Sequence, residues 1–273
     1  MFPSRERAYW RMTAFFGGLP FLAVILLVVF LMVQGSEALG PMVSLSALTD
    51  PWLPFNGQFG FLPLLAGTLA TTLSALVLAV PLGIGVAYHL ALYSSLRQRR
   101  VVDAAVALLG GLPSVVIGLW GMTWLLPLFG NSFASATLVL AMMILPTFTL
   151  LAGAALRQVP RELVETTRSL GVPEPMVVWT TMRHCGGSLL SAAVLAAGRG
   201  LGEAVALSMV AGNVPLFPSI QGPVSTLTTT LITEYDGSFG HHRAALFLLA
   251  LMVVTLIAIT SIGARLSRAR SGL

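Results

Sequence analysis

Long apolar runs separated by short polar clusters dominate the chain. Six runs stand out: residues 15–33, 62–92, 101–128, 134–156, 189–214 and 244–262. A helix needs about 20 mostly apolar residues to cross roughly 30 Å of hydrocarbon, and each run meets or approaches that length. Between them lie 34–61, 93–100, a very short 129–133, the long 157–188, and 215–243. The pattern predicts an all-α integral membrane protein with six transmembrane helices in a single domain, residues 1–273. No internal repeat is evident.

Charge fixes the expected orientation. With the amino terminus inside, Arg5, Arg7, Arg11, Arg97, Arg99, Arg100, Arg157, Arg161, Arg168, Arg183, Arg265, Arg268 and Arg270 are cytoplasmic, and only Arg243 is outside. Arg199 falls within the fifth run. This bias predicts that both termini are cytoplasmic. The run 15–33, after Arg5, Arg7 and Arg11, is longer than the apolar part of a secretory signal and reads as a retained first helix.

Composition agrees: 56% of the residues are hydrophobic and 9% charged, with a mean hydropathy of +0.89. A soluble core cannot use that much apolar surface. The formal charge of +5 does not point to nucleic acid, because the arginines mark loops between apolar runs instead of lining one face beside stacking aromatics. Cys185 is the single cysteine, so no intramolecular disulfide can form. No Cys/His group has zinc spacing, the adjacent His241 and His242 are a weak metal signal, and neither a metal nor a cofactor is expected. Ser114 and Ser188 have no base spaced to activate them, which argues against an enzyme.

Several breakers interrupt the apolar runs: Pro81 in the second, and Gly110, Gly111 and Pro113 in the third. They predict kinks or half-helices, either as tolerated bends or as backbone opened toward a water-filled path. The fifth run contains Gly198-Arg199-Gly200-Leu201-Gly202-Glu203. On a continuous helix Arg199 and Glu203 share a face, so two costly charges face the bundle interior or each other. One reading is a neutralising ion pair. The other is a substrate path, in which the forked guanidinium meets an oxyanion such as phosphate or sulfate and Glu203 holds or releases it. Gly198 and Gly202 have the spacing of a close helix-packing contact.

Two loops carry the remaining signal. In 157–188, Pro160 precedes helix-compatible residues and Gly171 is a plausible stop, predicting a short exposed helix. In 215–243, Thr226, Thr228, Thr229, Thr230, Glu234, Asp236, His241 and His242 are expected to form a surface that meets an external partner.

Glu165-Thr166-Thr167 followed by Gly171 resembles the E-A-A-x-x-x-G element of type I ATP-binding-cassette importer permeases. Thr181, Met182, Arg183 and His184 stand where that family has I-x-L-P. L-P-S-V-V-I-G-L-W-G over 112–121, and the Gly198 to Glu203 element followed by Gly212-Asn213, resemble phosphate importer permeases of the PstC type. Gly67-Thr68-Leu69, Pro81 and His242-Arg243-Ala244-Ala245-Leu246 extend the likeness over most of the chain from about residue 60, whereas the first sixty residues add little beyond one helix. The resemblance implies a MetI-like fold, a bacterial inner-membrane location, and a heterodimer with a PstA-type permease. It also implies two copies of a cytoplasmic ATPase, where ATP is hydrolysed, and an external phosphate-binding protein. It assigns Glu165, Thr166, Thr167 and Gly171 to a coupling helix that docks on the ATPase, and Arg199 and Glu203 to phosphate movement. Pro81, Pro113, Gly198 and Gly202 remain packing or hinge positions, and membrane lipid is the surrounding solvent. The alternatives are a PstA-type sister, a permease for another oxyanion, and an ATP-independent transporter or channel that would work alone.

Overall fold

A computed structural model describes residues 3–43 and 50–270, with the side chains of 3–11, 14, 41, 43 and 268–270 outside the description. The charges of Arg5, Arg7, Arg11, Arg268 and Arg270 thus lie outside the described side chains, and positions 44–49, between the first two apolar runs, are outside the described residues. The first helix is α1 (Pro3–Gly35); its stretch 15–33 is apolar on every side and almost wholly exposed. Its buried residues, among those described, lie at its end. Leu31 is buried, Phe30 meets Phe247 edge-on at 5.6 Å, and Gly35 lies so close to Leu248 that a Cβ there would come within 2.6 Å of it. A 3-10 turn (Ser36–Ala38) and α2 (Leu39–Val43) follow.

The segment after α2 holds more than the sequence suggests. Strands β1 (Trp52–Leu53) and β2 (Gln58–Phe59) pair antiparallel with Trp52 opposite Phe59. Gly57 closes the turn in the left-handed region, φ +74°, where a side chain would be strained.

Helix α3 (Leu62–Leu92) coincides with the second apolar run and continues through Pro81 without ending there. It pairs along its length with α7 (Phe133–Arg157), whose start is capped by the Ser132 hydroxyl accepting from the Ser135 amide. The third run is not one span. Helices α4 (Leu96–Gly111) and α5 (Ser114–Trp124) meet at a bend of 91°. The residue before a proline is pushed out of the helical region, and Leu112, before Pro113, has ψ 136°. A single turn, α6 (Leu126–Phe129), leads to α7.

Beyond α7 come α8 (Arg161–Ser169), α9 (Glu174–His184), α10 (Gly186–Leu201), α11 (Val205–Val210), α12 (Leu227–Glu234) and α13 (Gly240–Arg270). The fifth run is therefore divided too. Its α10 has 16 residues, about 24 Å of helix and short of a full crossing. Among the described residues four helices are long and apolar enough to cross a membrane, and the α4–α5 pair makes a fifth candidate as a broken span. The six expected runs are all helical, but two are broken where glycine and proline fall.

The core sits on α7. Val139, Leu140, Ile144 and Phe148 are fully buried against Ala75 and Ala79 of α3, Ala192 and Ala196 of α10, and Ala206, Leu207 and Val210 of α11. Large side chains on one helix against alanines on its neighbours let the axes approach closely. A second cluster joins Trp52 and Phe59 of the hairpin to Leu64, Leu227, Leu246 and Leu249.

Glycine allows the tightest crossings. A Cβ on Gly67 would lie 2.1 Å from the Ser225 carbonyl oxygen, and one on Gly83 2.5 Å from the Phe148 ring. Gly67→Ala is expected to destabilise the purified protein by about 1–3 kcal/mol through overpacking. Gly85→Ala meets nothing within 4 Å and is expected to leave the thermal midpoint unchanged or raised. Equal midpoints for both variants would contradict this packing.

Candidate functional site

Three interruptions of helical backbone converge on one side chain. Gly110 is in the last turn of α4, where carbonyls have no helical partner. Pro146 interrupts the amide ladder of α7 and lies against Gly110, 3.3 Å from where a Cβ would stand. Helix α10 ends at Leu201 with Gly202 as its cap, and the chain restarts as α11 at Val205. The Arg199 guanidinium donates to the Gly110 carbonyl at 3.1 Å and to Thr147 Oγ1 at 2.8 Å. A cation at the carbonyl end of α4 is also favoured by the helix dipole.

Arg199 is exposed on the surface of this chain. Two of its donors are committed to protein, and the planar fork keeps others for an oxyanion. Thr147 lies near the middle of α7, one of the helices long and apolar enough to cross a membrane, so the guanidinium is held far from either end of that helix.

Of the two readings of Arg199 and Glu203, the neutralising ion pair does not occur, nor do the two share a face of one continuous helix. Among the described residues, ion pairs join Arg99 to Asp103, Arg168 to Glu174 and Glu234 to His242, and none joins Arg199 to Glu203. The four-residue spacing places both on one face only if the helix continues, and it stops between them. Glu203 Oε1 instead accepts from the Ala206 amide at 3.1 Å, and its carbonyl accepts from Thr228 Oγ1 at 2.7 Å. Gly198 and Gly202 face Thr260 and Ile257 of α13. Gly212 and Asn213 both have positive φ, 84° and 53°, and turn the chain so that the Val224 amide bonds to the Ala211 carbonyl at 2.8 Å.

Thr226, Thr228, Thr229 and Thr230 are buried, which corrects their expected place on an outer surface. Thr226 and Thr229 cap α12 reciprocally, and the Leu227 amide donates to Thr68 Oγ1 at 2.9 Å. Their hydroxyls satisfy each other and the backbone of a segment that turns back into the protein. Nearby, Trp52 Nε1 donates to the Glu234 carboxylate at 3.0 Å, and His242 Nε2 lies 2.8 Å from the same carboxylate. His241 and Asp236 stay exposed. No sequence spacing announced this cluster, because Trp52 and Glu234 are distant in the chain.

At the arginine-rich end, α8 runs close to the expected helix. Gly171, φ +69°, ends it, its amide bonding to the Arg168 carbonyl at 2.9 Å. Glu165 and Thr166 are exposed, and Thr167 is half-buried with its hydroxyl on the Leu163 carbonyl. Glu165 borders a cavity of about 430 Å³ with Arg99, Arg161 and Arg168. Arg168 donates to Glu174 at 2.8 Å and to Tyr93 Oη at 3.1 Å, its guanidinium lies over the Tyr93 ring, and Tyr93 donates to Glu174. This clasp, also absent from the sequence reading, joins the end of α3 to α8 and α9. Where the family has I-x-L-P, α9 simply continues, with Thr181 buried and bonded to the Val177 carbonyl.

Residues 79–271 match the family model described as "Binding-protein-dependent transport system inner membrane component". The chain belongs to this family. It is a multi-pass inner-membrane permease subunit, a transport component. It is 31% identical over 235 residues to the phosphate transport system permease protein PstC of Xylella fastidiosa (strain 9a5c), covering 75% of this chain and 72% of that protein. It is 32% identical over 231 residues to the probable ABC transporter permease protein YqgH of Bacillus subtilis (strain 168), covering 77% and 73%. In fold it is similar to a chain of the inward-facing MetNI methionine ABC transporter, with a TM-score of 0.59, 18% identity, and coverage of 74% of this chain and 92% of that one.

The clasp has a pH signature. Hydrogen bonds from Arg168 and then Tyr93 hold the Glu174 carboxyl below the ordinary carboxylate range, and the same contacts raise Arg168. A carboxyl whose folded pKa is depressed stabilises the fold above its unfolded pKa, and that contribution is lost as pH falls through the folded value. Hydrogen-exchange protection of residues 161–184 is expected to be constant at neutral pH and to fall on acidification below the ordinary carboxylate range. Glu174→Gln should remove that dependence. An unchanged acid profile in Glu174→Gln would show that the clasp does not order the segment.

Proposed function

We propose that this chain is the PstC-type permease of an ATP-driven phosphate importer, both termini cytoplasmic, forming the translocation path with a PstA-type permease. Two copies of a cytoplasmic ATPase would hydrolyse ATP, and an external binding protein would deliver phosphate. The single observation that carries this reading is Arg199: a guanidinium fixed at a junction of helix breaks, not neutralised by Glu203, with donors left for an oxyanion. The PstC relative supports phosphate as the anion and the PstC role over the PstA one. Membership of a binding-protein-dependent family weighs against an ATP-independent transporter.

The contacts supply a route for the lever. The ATPase would engage the exposed face of α8 through Glu165 and Thr166. Movement of α8 reaches α3 through the Arg168–Tyr93–Glu174 clasp. Helix α3 packs along α7, and α7 carries Thr147, which holds Arg199. Rigid elements that slide on one another can thus couple ATPase closure to the position of the guanidinium.

The test is uptake of labelled phosphate by cells whose only high-affinity phosphate system contains this chain. Arg199→Gln is expected to lower uptake by about tenfold or more, the scale of one lost charged hydrogen bond, at unchanged abundance in the membrane. Because Arg199 and Glu203 do not touch, the logarithmic losses of Arg199→Gln and Glu203→Gln are expected to add in the double variant. Normal uptake by Arg199→Gln would overturn the reading. In the same cells Glu165→Lys should reduce copurification of the ATPase while membrane insertion is unchanged, and full copurification would remove Glu165 from the docking face.

A further inference from the structure

At the end of the bundle that carries the arginine-rich loops, a cavity of about 590 Å³ opens between the α9–α10 elbow and α13. Arg183, His184 and Ser267 give its polar lining, Leu190 and Leu266 its apolar wall, and among the described residues no carboxylate borders it. Helix α10 begins at this edge with one residue, Cys185, between it and the end of α9, so the carbonyl end of one helix and the amide end of the other offset, and the positive charge at the cavity is that of Arg183. The floor is built. Ser191 Oγ bonds to the Ala264 carbonyl at 2.8 Å and lies 3.0 Å from Ser267 Oγ, so α10 and α13 are stitched together beneath the cavity.

An apolar strip leads away from this cationic end. Leu266, Ile262 and Ile259 follow one another at helical spacing on α13 and are 61, 58 and 60% exposed. They cover about 10 Å of helix toward the middle of the bundle. A cation-lined pocket of donors above an apolar strip matches a phosphodiester headgroup with an acyl chain below it.

We propose that this cavity binds an anionic phospholipid, its phosphate at Arg183 and His184 and an acyl chain along Leu266, Ile262 and Ile259. Its placement in the cytoplasmic leaflet rests on the orientation proposed above; the binding itself does not. A free phosphate ion offers the same charge without the chain. Because α9 also carries Glu174 of the clasp, a lipid seated here braces the elbow between the coupling segment and α10.

The test uses the purified full-length chain, stripped of lipid and offered phosphatidylglycerol or phosphatidylcholine, with bound lipid counted by native mass spectrometry. Phosphatidylglycerol is expected to be retained in preference to phosphatidylcholine, and Arg183→Gln to weaken that retention about fivefold. Arg265→Gln, which removes the same charge from a position that does not border this cavity, should leave it unchanged. Ile262→Glu, on the exposed strip, should weaken it independently of the headgroup contacts. Circular dichroism of each variant checks that helix content is intact. Equal retention of the two lipids, or equal losses in Arg183→Gln and Arg265→Gln, would overturn the site. Displacement by inorganic phosphate would overturn the lipid and assign the cavity to the free ion. Separately, His184→Cys in a Cys185→Ser background should react with an impermeant maleimide in inverted vesicles only. Labelling from the outer side would overturn the leaflet and the proposed orientation while the retention result still decides the site.

Discussion

A helix that stops at membrane depth leaves carbonyl groups without helical partners, and lipid offers them no donor. In this chain the guanidinium of Arg199 supplies the Gly110 carbonyl and spans to Thr147 of the central helix. Much of the architecture follows from that requirement. Gly110 and Pro113 break α4 from α5, Gly202 ends α10, and Pro146 brings a polar residue beside the break. A charged group is costly there unless it is bonded or meets water, and Arg199 is bonded on one side and exposed on the other. The same group can therefore hold the breaks together and present donors to a passing anion.

The central helix transmits this arrangement to the rest of the molecule. Its buried Val139, Leu140, Ile144 and Phe148 are packed by alanines from α3 and α10 and by residues of α11. Interiors this dense shift between discrete packings and do not deform continuously. At one end the Tyr93–Arg168–Glu174 clasp ties α3 to the exposed α8. At the other, Trp52, Glu234 and His242 tie the hairpin to α12 and to the start of α13. Both clasps grip the ends of helices that border the core.

Much of this was legible in the residues. The second apolar run matches α3 at both ends, and Gly171 ends α8 because a left-handed position there favours glycine. Arg199 stood out as a charge in an apolar run. What failed was the step from spacing to contact. The i, i+4 rule joins Arg199 to Glu203 only on an unbroken helix, and Gly202, read as a packing residue, also ends that helix. The threonines of α12 looked like surface because threonine is polar, yet their hydroxyls bond backbone and one another in a buried turn. Trp52, Thr147 and Tyr93 could not be found by local pattern, since their partners are set by tertiary packing across long stretches of sequence.

If Arg199 serves the passage of an anion, its guanidinium faces a water-filled path. Thr147→Cys, in a Cys185→Ser background and within the importer assembled in membranes, places a thiol beside that guanidinium. A charged thiol reagent, which reacts only in water, is expected to modify this position, and added phosphate to slow the reaction. A thiol that stays unmodified while the protein is folded and assembled would mean that Arg199 is sealed in packed helices, and the path would have to be sought elsewhere.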